Sequence, residues 1–392
     1  MPLTFVHTAD WHLGRVYRNI GPNSARTPGW REDAVRRVYD LAVRERAEFI
    51  LVAGDVFDTE TPRMDVAARA VDLLRDAPVP LIVIPGNHDP CMEGSVWKRR
   101  DFEQQLVAIE NLKLALQPTV FPIGDADILA IPCAARTWAD DLTNWMDQQP
   151  RHDGRYRIGL AHGCCQGYSG DQYFENVIAA DRANLSGLDY LALGDFHSYT
   201  VEGHWAAHCR TRYSGTIECT AVDEDRPGHA LLVTIPAPGE PPVVRPEFVG
   251  HIQPRCLGQL TVSPDSGIQP LEREVDALSS PERVILGLKV VGVLTVDQMQ
   301  QFQDWAGRLN SRFLGVDLDQ SALYMEPGDQ DWIDLGLRGA EQTVLTALRE
   351  RELQHNEGDP VPANLVVQAA ADASIRREAL ALYYQMLREG RG

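Results

Sequence analysis

The amino-acid sequence predicts an α/β protein, and two observations support this class. In the first half of the chain, short apolar runs alternate with segments whose apolar residues recur at helical spacing. Polar motifs rich in Asp, His and Asn directly follow several of these runs. The motifs are therefore expected at the carboxyl ends of strands, where open α/β sheets carry their binding sites.

The first half is predicted to run strand, helix, strand, helix, strand, with four further strands after it. The helix over 32–46 follows from Val35, Val38 and Leu41, whose spacing gives one apolar face. A second helix is predicted over 64–77. The short runs rich in Val, Ile and Leu are typical of buried strands. These predicted strands cover 3–8, 49–53, 81–84, 128–131, 158–161, 190–193 and 230–235.

A proline-rich stretch at 236–242 can form neither a central strand nor a helix interior, so we place the end of the first domain (1–250) near it. Since 392 residues exceed one typical domain, further domains are expected. Strands over 257–262, 284–291 and 314–318 and helices over 271–278 and 295–313 predict a small β-α-β-α-β unit at 251–330. Helices over 341–354 and 374–388 complete a last segment at 331–392.

Composition limits the function classes. The net charge of −19 argues against a broadly basic surface, so any DNA contact must be local or shared with a basic partner. Seven irregularly spaced cysteines favour reduced thiols and a cytoplasmic protein. No apolar run reaches the length of about 18 residues that a membrane span needs, and the chain start lacks a basic signal region. We therefore expect no membrane association and no signal peptide.

Five motifs carry the predicted chemistry, and together they supply carboxylates, imidazoles and one amide. An isolated Asp-x-His is weak evidence, because either residue could be packing or capping a helix. All five motifs in order, each after an apparent strand, predict a phosphoesterase in which one carboxylate bridges two cations. The donor set favours manganese, with magnesium, iron and zinc as competitors. The motifs are Asp10-Trp11-His12, Gly54-Asp55-Val56-Phe57-Asp58, Gly86-Asn87-His88-Asp89, His162-Gly163 and Gly194-Asp195-Phe196-His197.

Through these motifs the chain resembles the calcineurin-like metallophosphoesterases over about residues 1–235. The sequence at 5–15, with 54–58 and Tyr213-Ser214-Gly215, resembles more narrowly the SbcD and meiotic-recombination-eleven DNA nucleases. The organisation of the last third resembles the YhaO-type bacterial branch. This resemblance implies a two-sheet α-β-β-α sandwich, a small α+β capping domain at 251–330 and C-terminal helices that dock a partner at 331–392.

The resemblance also implies roles for individual residues. His88 would protonate the leaving oxygen, and Asp89 would orient His88, although a purely structural imidazole at 88 stays open. At position 195 the related enzymes have His; an Asp there would favour hard cations such as manganese or magnesium, unless it does not bind directly. The implied ligands are Asp10, His12, Asp55 and His197 for the first cation, and Asp55, Asn87, His162 and Asp195 for the second.

Basic residues near two motifs are candidates for substrate contacts, although a solvated surface explains each of them equally well. They are Arg15, Arg18, Lys98, Arg99 and Arg100. The favoured function is a manganese-dependent DNA exo- and endonuclease of the repair type. The resemblance implies a homodimer and an SMC-like coiled-coil ATPase of the SbcC type as partner. Two alternatives are a small-nucleotide phosphodiesterase or pyrophosphatase, and a metal-binding regulatory protein in which Asp195 has disabled catalysis.

Overall fold

The computed structural model describes residues 2–15, 27, 29–168, 175–200, 210–222, 224–350 and 363–389. They form two compact units, of which one ends at Pro254 and the other begins at Arg255. The assignment of a capping domain and a docking segment within the second unit stays a prediction.

The first unit alternates strands and helices, as predicted. Its strands are β1 (Leu3–Thr8), β2 (Ile50–Ala53), β3 (Leu81–Ile84), β4 (Leu112–Leu114), β5 (Thr119–Ile123), β6 (Ala126–Ala130), β7 (Tyr156–His162), β8 (Cys164–Cys165), β9 (Val177–Ile178), β10 (Tyr190–Gly194), β11 (Thr211–Tyr213), β12 (His229–Ile235) and β13 (Val243–Phe248). Its α-helices are α1 (Trp30–Arg44), α2 (Met64–Arg75), α3 (Arg100–Val107) and α4 (Arg182–Leu185).

Two sheets of the first unit pack face to face. The first sheet has the strand order β13-β12-β1-β2-β3-β4, with β1 to β4 parallel. The second has the order β11-β10-β7-β6-β5, in which β6, β7, β10 and β11 are parallel. Because side chains alternate along a strand, Phe5 of β1 points between the sheets, where its ring lies 5.4 Å from that of Tyr190. Val6 points the other way, into the core beneath the helices.

The outer faces of both sheets are covered. Helices α1, α2 and α3 bury Val38, Val71 and Phe102 in one core with the first sheet. On the far side of the second sheet, Met146 and Leu188 pack against strand residues such as Leu191. This layering confirms the predicted α-β-β-α sandwich.

The predicted bounds agree best where strands are central and fully apolar: β1 and β3 match 3–8 and 81–84 residue for residue. Strands β4 and β5 were not predicted, and both lie at a sheet edge. There Pro122 and mixed burial obscure the strand pattern of β5. After the proline-rich stretch, β13 pairs with β12, so the first sheet extends beyond residue 242.

The second unit contains β14 (Gln253–Val262), α5 (Gln269–Asp276), β15 (Val284–Leu294), α6 (Val296–Arg312), β16 (Gly315–Met325), α7 (Asp329–Asp334), α8 (Ala340–Glu350) and α9 (Ala363–Glu389). The first five elements follow the predicted β-α-β-α-β order, and the strands form one sheet in the order β14-β15-β16. Leu286, Phe302 and Phe313 lie in its core. Helix α6 begins with a capping box between Thr295 and Gln298. In the part of the chain that the structure describes, no helix is long and apolar enough to cross a membrane.

Candidate metal centre

The predicted ligands converge at one end of the sandwich. Asp10, Asp55 and Asn87 follow β1, β2 and β3, which are neighbours in the first sheet. His162 ends β7 and Asp195 follows β10, and these strands are neighbours in the second sheet. Because all five strands are parallel to a sheet neighbour, their carboxyl ends bring the motifs together.

The backbone that presents these side chains is unusual. Asp10, His12 and Asp55 have positive φ of 52°, 45° and 54°, and Asp195 has a φ of 107°. Positive φ in residues other than glycine costs about 1–3 kcal/mol each and occurs where the surrounding structure imposes it. Here the first two motifs are hydrogen-bonded to each other, since His12 N–H donates to Asp55 O at 2.9 Å. Contacts between the motifs therefore impose the backbone conformation of the residues that carry the candidate ligands.

Close backbone approach explains one glycine of the third motif. A Cβ on Gly86 would lie 2.1 Å from Asp55 Oδ1, so only glycine admits the carboxylate there. The same Asp55 oxygen accepts the backbone N–H of His88 at 2.9 Å. The second and third motifs are thereby locked together.

Asp55 occupies the middle of the cluster. Its Oδ2 lies 3.9 Å from His12 Nε2 and 3.6 Å from His162 Nε2. Two groups of potential ligand atoms, each within 4.8 Å, both include Asp55: His12–Asp55–His88 and Asp10–Asp55–His162. This central place suits a carboxylate shared by two cations.

On one side of Asp55 lie Asp10, His12 and His197, which we name the first side. His12 Nε2 and His197 Nε2 are 3.1 Å apart. At the opposite edge of the imidazole ring, His197 Nδ1 lies 2.6 Å from Glu224 Oε1. Burial opposes ionisation of Glu224, but hydrogen bonds with His197 and Thr220 outweigh it and lower the pKa of this carboxyl. The ionised carboxylate of Glu224 therefore lies at the edge of the His197 ring that is remote from His12.

On the opposite side lie Asn87, His162 and Asp195, the second side. His162 Nδ1 is 2.8 Å from Ala53 O and must donate to it, because a carbonyl only accepts. In the neutral ring this leaves Nε2 as a lone-pair donor. The Asn87 amide donates its Nδ2–H to Asp195 Oδ1 at 2.9 Å, so its Oδ1 is turned away from Asp195.

Two buried atoms of the second side indicate whether the residues present suit a divalent cation. Asn87 Oδ1 and His162 Nε2 are buried, and neither has a hydrogen-bond partner among the described residues. An unsatisfied buried polar atom costs about 1–3 kcal/mol. Both atoms carry lone pairs that can coordinate a cation, and carboxylates surround them. This set of ligand atoms fits divalent cations.

The buried carboxyls of the site are held in an environment that disfavours their charge. Burial, reinforced by the charge of Asp55, raises the pKa of Asp10 and of Asp89 well above the usual range. Burial raises the pKa of Asp55 to about 7. Burial also lowers the pKa of His12, with His197 as a further cause. Nearby cations would favour ionised carboxylates and neutral imidazoles, which are the ligand forms.

The structure revises the role expected for Asp89. Its carboxylate accepts the backbone N–H groups of Gly86 at 2.7 Å and Phe57 at 3.0 Å. The His88 ring instead has Nδ1 3.1 Å from Asp58 O and is exposed. Asp89 thus orders the backbone of two motifs, whereas the carbonyl of Asp58 orients His88.

Asp58 and Glu224 are the contributors that sequence reasoning missed. In the sequence, Asp58 is explained equally well as a turn residue. Its carboxylate accepts from Arg15 Nη1 at 3.1 Å and lies 3.6 Å from His12 Nδ1. Its place inside the second motif is a sequence signal, whereas Glu224 lies 27 residues after His197 without any motif.

The candidate substrate residues divide into three cases. Arg15, through Asp58, lies beside the site. Arg18 falls outside the described residues. Lys98 and Arg100 are exposed and Arg99 pairs with Asp101, and no described contact joins these three to the ligand cluster.

The comparisons with known proteins agree with this geometry. The sequence profile described as calcineurin-like phosphoesterase matches residues 3–199, just over half of the chain. The chain is 30% identical over 232 residues to the uncharacterized metallophosphoesterase YhaO of Bacillus subtilis, covering 57% of this chain and 55% of that protein. It is 31% identical over 140 residues to the SbcD component of the nuclease SbcCD of Staphylococcus saprophyticus, covering 34% of each.

A third relative is the DNA double-strand break repair protein Mre11 of Sulfurisphaera tokodaii, with 26% identity over 206 residues, 50% of this chain and 49% of that protein. The chain spans about half the length, or less, of these curated relatives. The matched region contains strands β1 to β10 and all five motifs. This chain therefore belongs to the calcineurin-like phosphoesterase family, whose members use a dinuclear metal centre.

Proposed function

We propose that this chain is a two-metal, manganese-dependent DNA exo- and endonuclease of the DNA-repair type. The observation that carries the proposal is the pair of buried, unpartnered donor atoms, Asn87 Oδ1 and His162 Nε2, beside a central Asp55. The relatives named as part of a nuclease and as a double-strand break repair protein support DNA as the substrate.

Each side of the centre would hold one cation, with Asp55 common to both. The second side offers a carboxylate oxygen at Asp195 where related enzymes have an imidazole. A charged oxygen ligand favours manganese or magnesium over zinc. The residues that would hold the cations are Asp10, His12, Asp55 and His197 on one side, and Asp55, Asn87, His162 and Asp195 on the other.

Bound divalent cations supply charge stabilisation to phosphoryl oxygens and favour the ionisation of water for in-line attack. His88 provides a proton. Its Nδ1–H is directed to Asp58 O, so the exposed ring is held with Nε2 away from that carbonyl. In the imidazolium form Nε2 also carries a hydrogen, and this proton would pass to the leaving oxygen as the P–O bond breaks, which leaves a neutral ring with its proton on Nδ1.

Arg15 provides a phosphate contact beside His88. A guanidinium carries five N–H donors, and the described bond of Arg15 to Asp58 uses Nη1. The side chain is 29% exposed, so it can reach a non-bridging oxygen of DNA. Because the net charge is −19, such contacts must be local or shared with a basic partner, and Lys98, Arg99 and Arg100 are further candidates for contacts with the DNA backbone.

Cleavage assays with the full chain test this function. With manganese we expect degradation of linear duplex and single-stranded DNA, hydrolysis of bis-p-nitrophenyl phosphate, and loss of both after chelation. Hydrolysis of the small diester without DNA cleavage would instead favour a small-nucleotide phosphodiesterase. Two bound cations without either activity would favour a regulatory protein.

Helix α9 supports the proposed partner, an SMC-like ATPase of the SbcC type. One face of the helix packs within the second unit, where the Tyr383 hydroxyl donates to Glu341 O at 2.9 Å. On another face Ile375, Leu382 and Met386 recur at helical spacing, with exposed fractions of 62%, 38% and 67%. A relative is named as one component of a nuclease with more than one chain. An apolar stripe of this kind fits a groove between coiled-coil helices.

Leu382→Glu combined with Met386→Glu tests docking without removing the helix. The variant should keep wild-type hydrolysis of bis-p-nitrophenyl phosphate and lose co-purification with the ATPase. The control variant, Arg388→Ala, changes an exposed residue off this stripe and should keep both. Retained co-purification of the glutamate variant would refute docking through this stripe. The homodimer and the cytoplasmic location stay predictions.

A further inference from the structure

We infer that Glu224 is a positioning residue that orients His197 and thereby sets the cation affinity of the first side alone. This inference rests on the proposed function, since it takes His197 as a ligand. Glu224 lies outside the five motifs, and within the described part of the chain its hydrogen bond to a candidate ligand is the one with the His197 ring.

The geometry of the Glu224 carboxylate is fixed on both oxygens. Oε2 accepts the backbone N–H of Thr220 at 2.7 Å, and Oε1 accepts the Thr220 hydroxyl. Oε1 also lies 2.6 Å from His197 Nδ1. The Glu224 side chain is 11% exposed, so water competes little for these bonds.

The direction of the bond decides what His197 can do. Both oxygens of Glu224 already accept hydrogen bonds from Thr220, so in the contact with Oε1 the His197 Nδ1 is the donor and carries the proton. In the neutral ring, Nε2 then holds the lone pair, and it lies 3.1 Å from Nε2 of His12. Glu224 therefore selects the tautomer that presents Nε2 to the first side and also holds the ring plane.

Among the residues that the structure describes, no carboxylate accepts a hydrogen bond from the second side's imidazole. His162 Nδ1 is held by the neutral carbonyl of Ala53 at 2.8 Å. A carboxylate partner makes an imidazole a stronger ligand, and loss of such a partner typically costs about 10- to 100-fold in metal affinity. Removing the charge of Glu224 should therefore weaken one of two binding steps and leave the other unchanged.

A second buried glutamate provides a matched control. Glu218 also binds backbone N–H groups through both oxygens, those of Ile252 and His251 at 2.8 Å each. It also contacts a histidine ring, since its Oε2 lies 3.1 Å from His251 Nδ1. His251 is not among the candidate ligands. Glu218→Gln thus reproduces the loss of a buried carboxylate beside an imidazole without touching the metal centre.

The test titrates manganese into chelator-stripped protein and counts free Mn²⁺ by its electron paramagnetic resonance signal. Glu224→Gln should weaken one of the two binding steps by about 10- to 100-fold, with the other step unchanged. Its hydrolysis of bis-p-nitrophenyl phosphate should need more manganese for half-maximal rate and recover at saturation. Thr220→Val should weaken the same step to a smaller degree, because the lost hydroxyl donates to Glu224 Oε1 and lies 3.0 Å from His197 Nδ1. Glu224→Asp, which keeps the charge but shortens the side chain, decides the question if Glu224→Gln does not fold.

Wild-type titration curves for both Glu224→Gln and Thr220→Val would overturn the inference. So would an equal weakening of both steps, or the same weakening in Glu218→Gln, since each marks a purely structural role. Failure of the proposed function looks different: the wild-type protein would then bind fewer than two manganese ions or leave DNA intact. A protein that binds two ions, loses one step in Glu224→Gln and spares DNA supports the role of Glu224 while rejecting the nuclease.

Discussion

The two sides of the candidate metal centre share Asp55, and each would add one carboxylate, Asp10 or Asp195, but they differ in the group that holds an imidazole ligand from behind. On the first side the imidazole of His197 would bind, and the anionic Glu224 stands behind it. On the second side the anionic Asp195 would bind directly, and the neutral carbonyl of Ala53 stands behind His162. Two sites with the same number of ligands can therefore differ in their affinity for cations. A carboxylate that binds the cation directly and a carboxylate that is hydrogen-bonded to a ligating imidazole have different effects.

Asp55→Asn should have the largest effect, because it removes the group common to both sides. Both binding steps for manganese should weaken by more than about 100-fold, beyond the range of outer partners, and hydrolysis should be lost. Calorimetric titration and an assay with bis-p-nitrophenyl phosphate measure these outcomes. Two ions bound at wild-type affinity would contradict a bridging Asp55.

His88→Asn should have the next largest effect, and it should change neither side. Loss of the proton donor should reduce hydrolysis by about 10²- to 10⁴-fold, while both manganese ions still bind. Titration beside a single-turnover assay separates the two effects. If this variant binds fewer ions, His88 is a ligand, as its place in a cluster with His12 and Asp55 also permits.

Asp195→His should make the two sides more alike. Replacing a charged oxygen by a neutral nitrogen should shift the preferred cation of the second side from manganese toward zinc, with a change of about tenfold in relative activity. It also removes the acceptor of the Asn87 amide, so the Asn87 side chain should be less firmly oriented. Activity profiles with manganese, magnesium and zinc measure the shift, and an unchanged profile would show that Asp195 touches no cation.

The smallest effect concerns the protein without metal. Burial raises the pKa of Asp55 to about 7, whereas an unfolded Asp titrates near ~3.9. The folded state then binds the proton more tightly, so the free energy of unfolding falls as pH rises between these values. The Asp55→Asn variant has no ionisable group at this position and should not be destabilised in this way. In EDTA, the Tm of the variant minus the Tm of the wild type should therefore increase by a few degrees between pH 4.5 and 8. A constant difference in Tm would mean that Asp55 ionises freely in the fold.

The residue pattern was sufficient for the alternation of strands and helices and for the convergence of the motifs, whereas the layers of the sandwich were implied by the family resemblance. Central strands such as β1 and β3 are uniformly apolar and end directly in polar residues, so both the strand and its functional end are visible. The edge strands β4 and β5 are half-exposed and carry no such contrast. Their pairing depends on neighbours that are remote in the chain.

The hydrogen bonds that orient the imidazoles could not be predicted for a different reason. Ala53 and Asp58 act through backbone carbonyls, which every residue has and no motif reveals. Glu224 acts through its side chain, but only the return of the chain after β11 brings it to His197. Asp89 was expected, from the family resemblance, to orient His88, whereas its buried carboxylate accepts the backbone N–H groups of Gly86 and Phe57.

The positive φ angles of Asp10, His12, Asp55 and Asp195 bear on which substitutions this site tolerates. At each of these positions a glycine would relieve backbone strain of about 1–3 kcal/mol and, at three of them, remove a carboxylate. Two of these carboxylates also accept partly buried backbone N–H groups, those of His88 and Asp195, which a glycine would leave without their acceptor. The backbone strain is therefore opposed by hydrogen bonds to the same side chains, and a substitution that relieves the strain also removes part of what holds the motifs together.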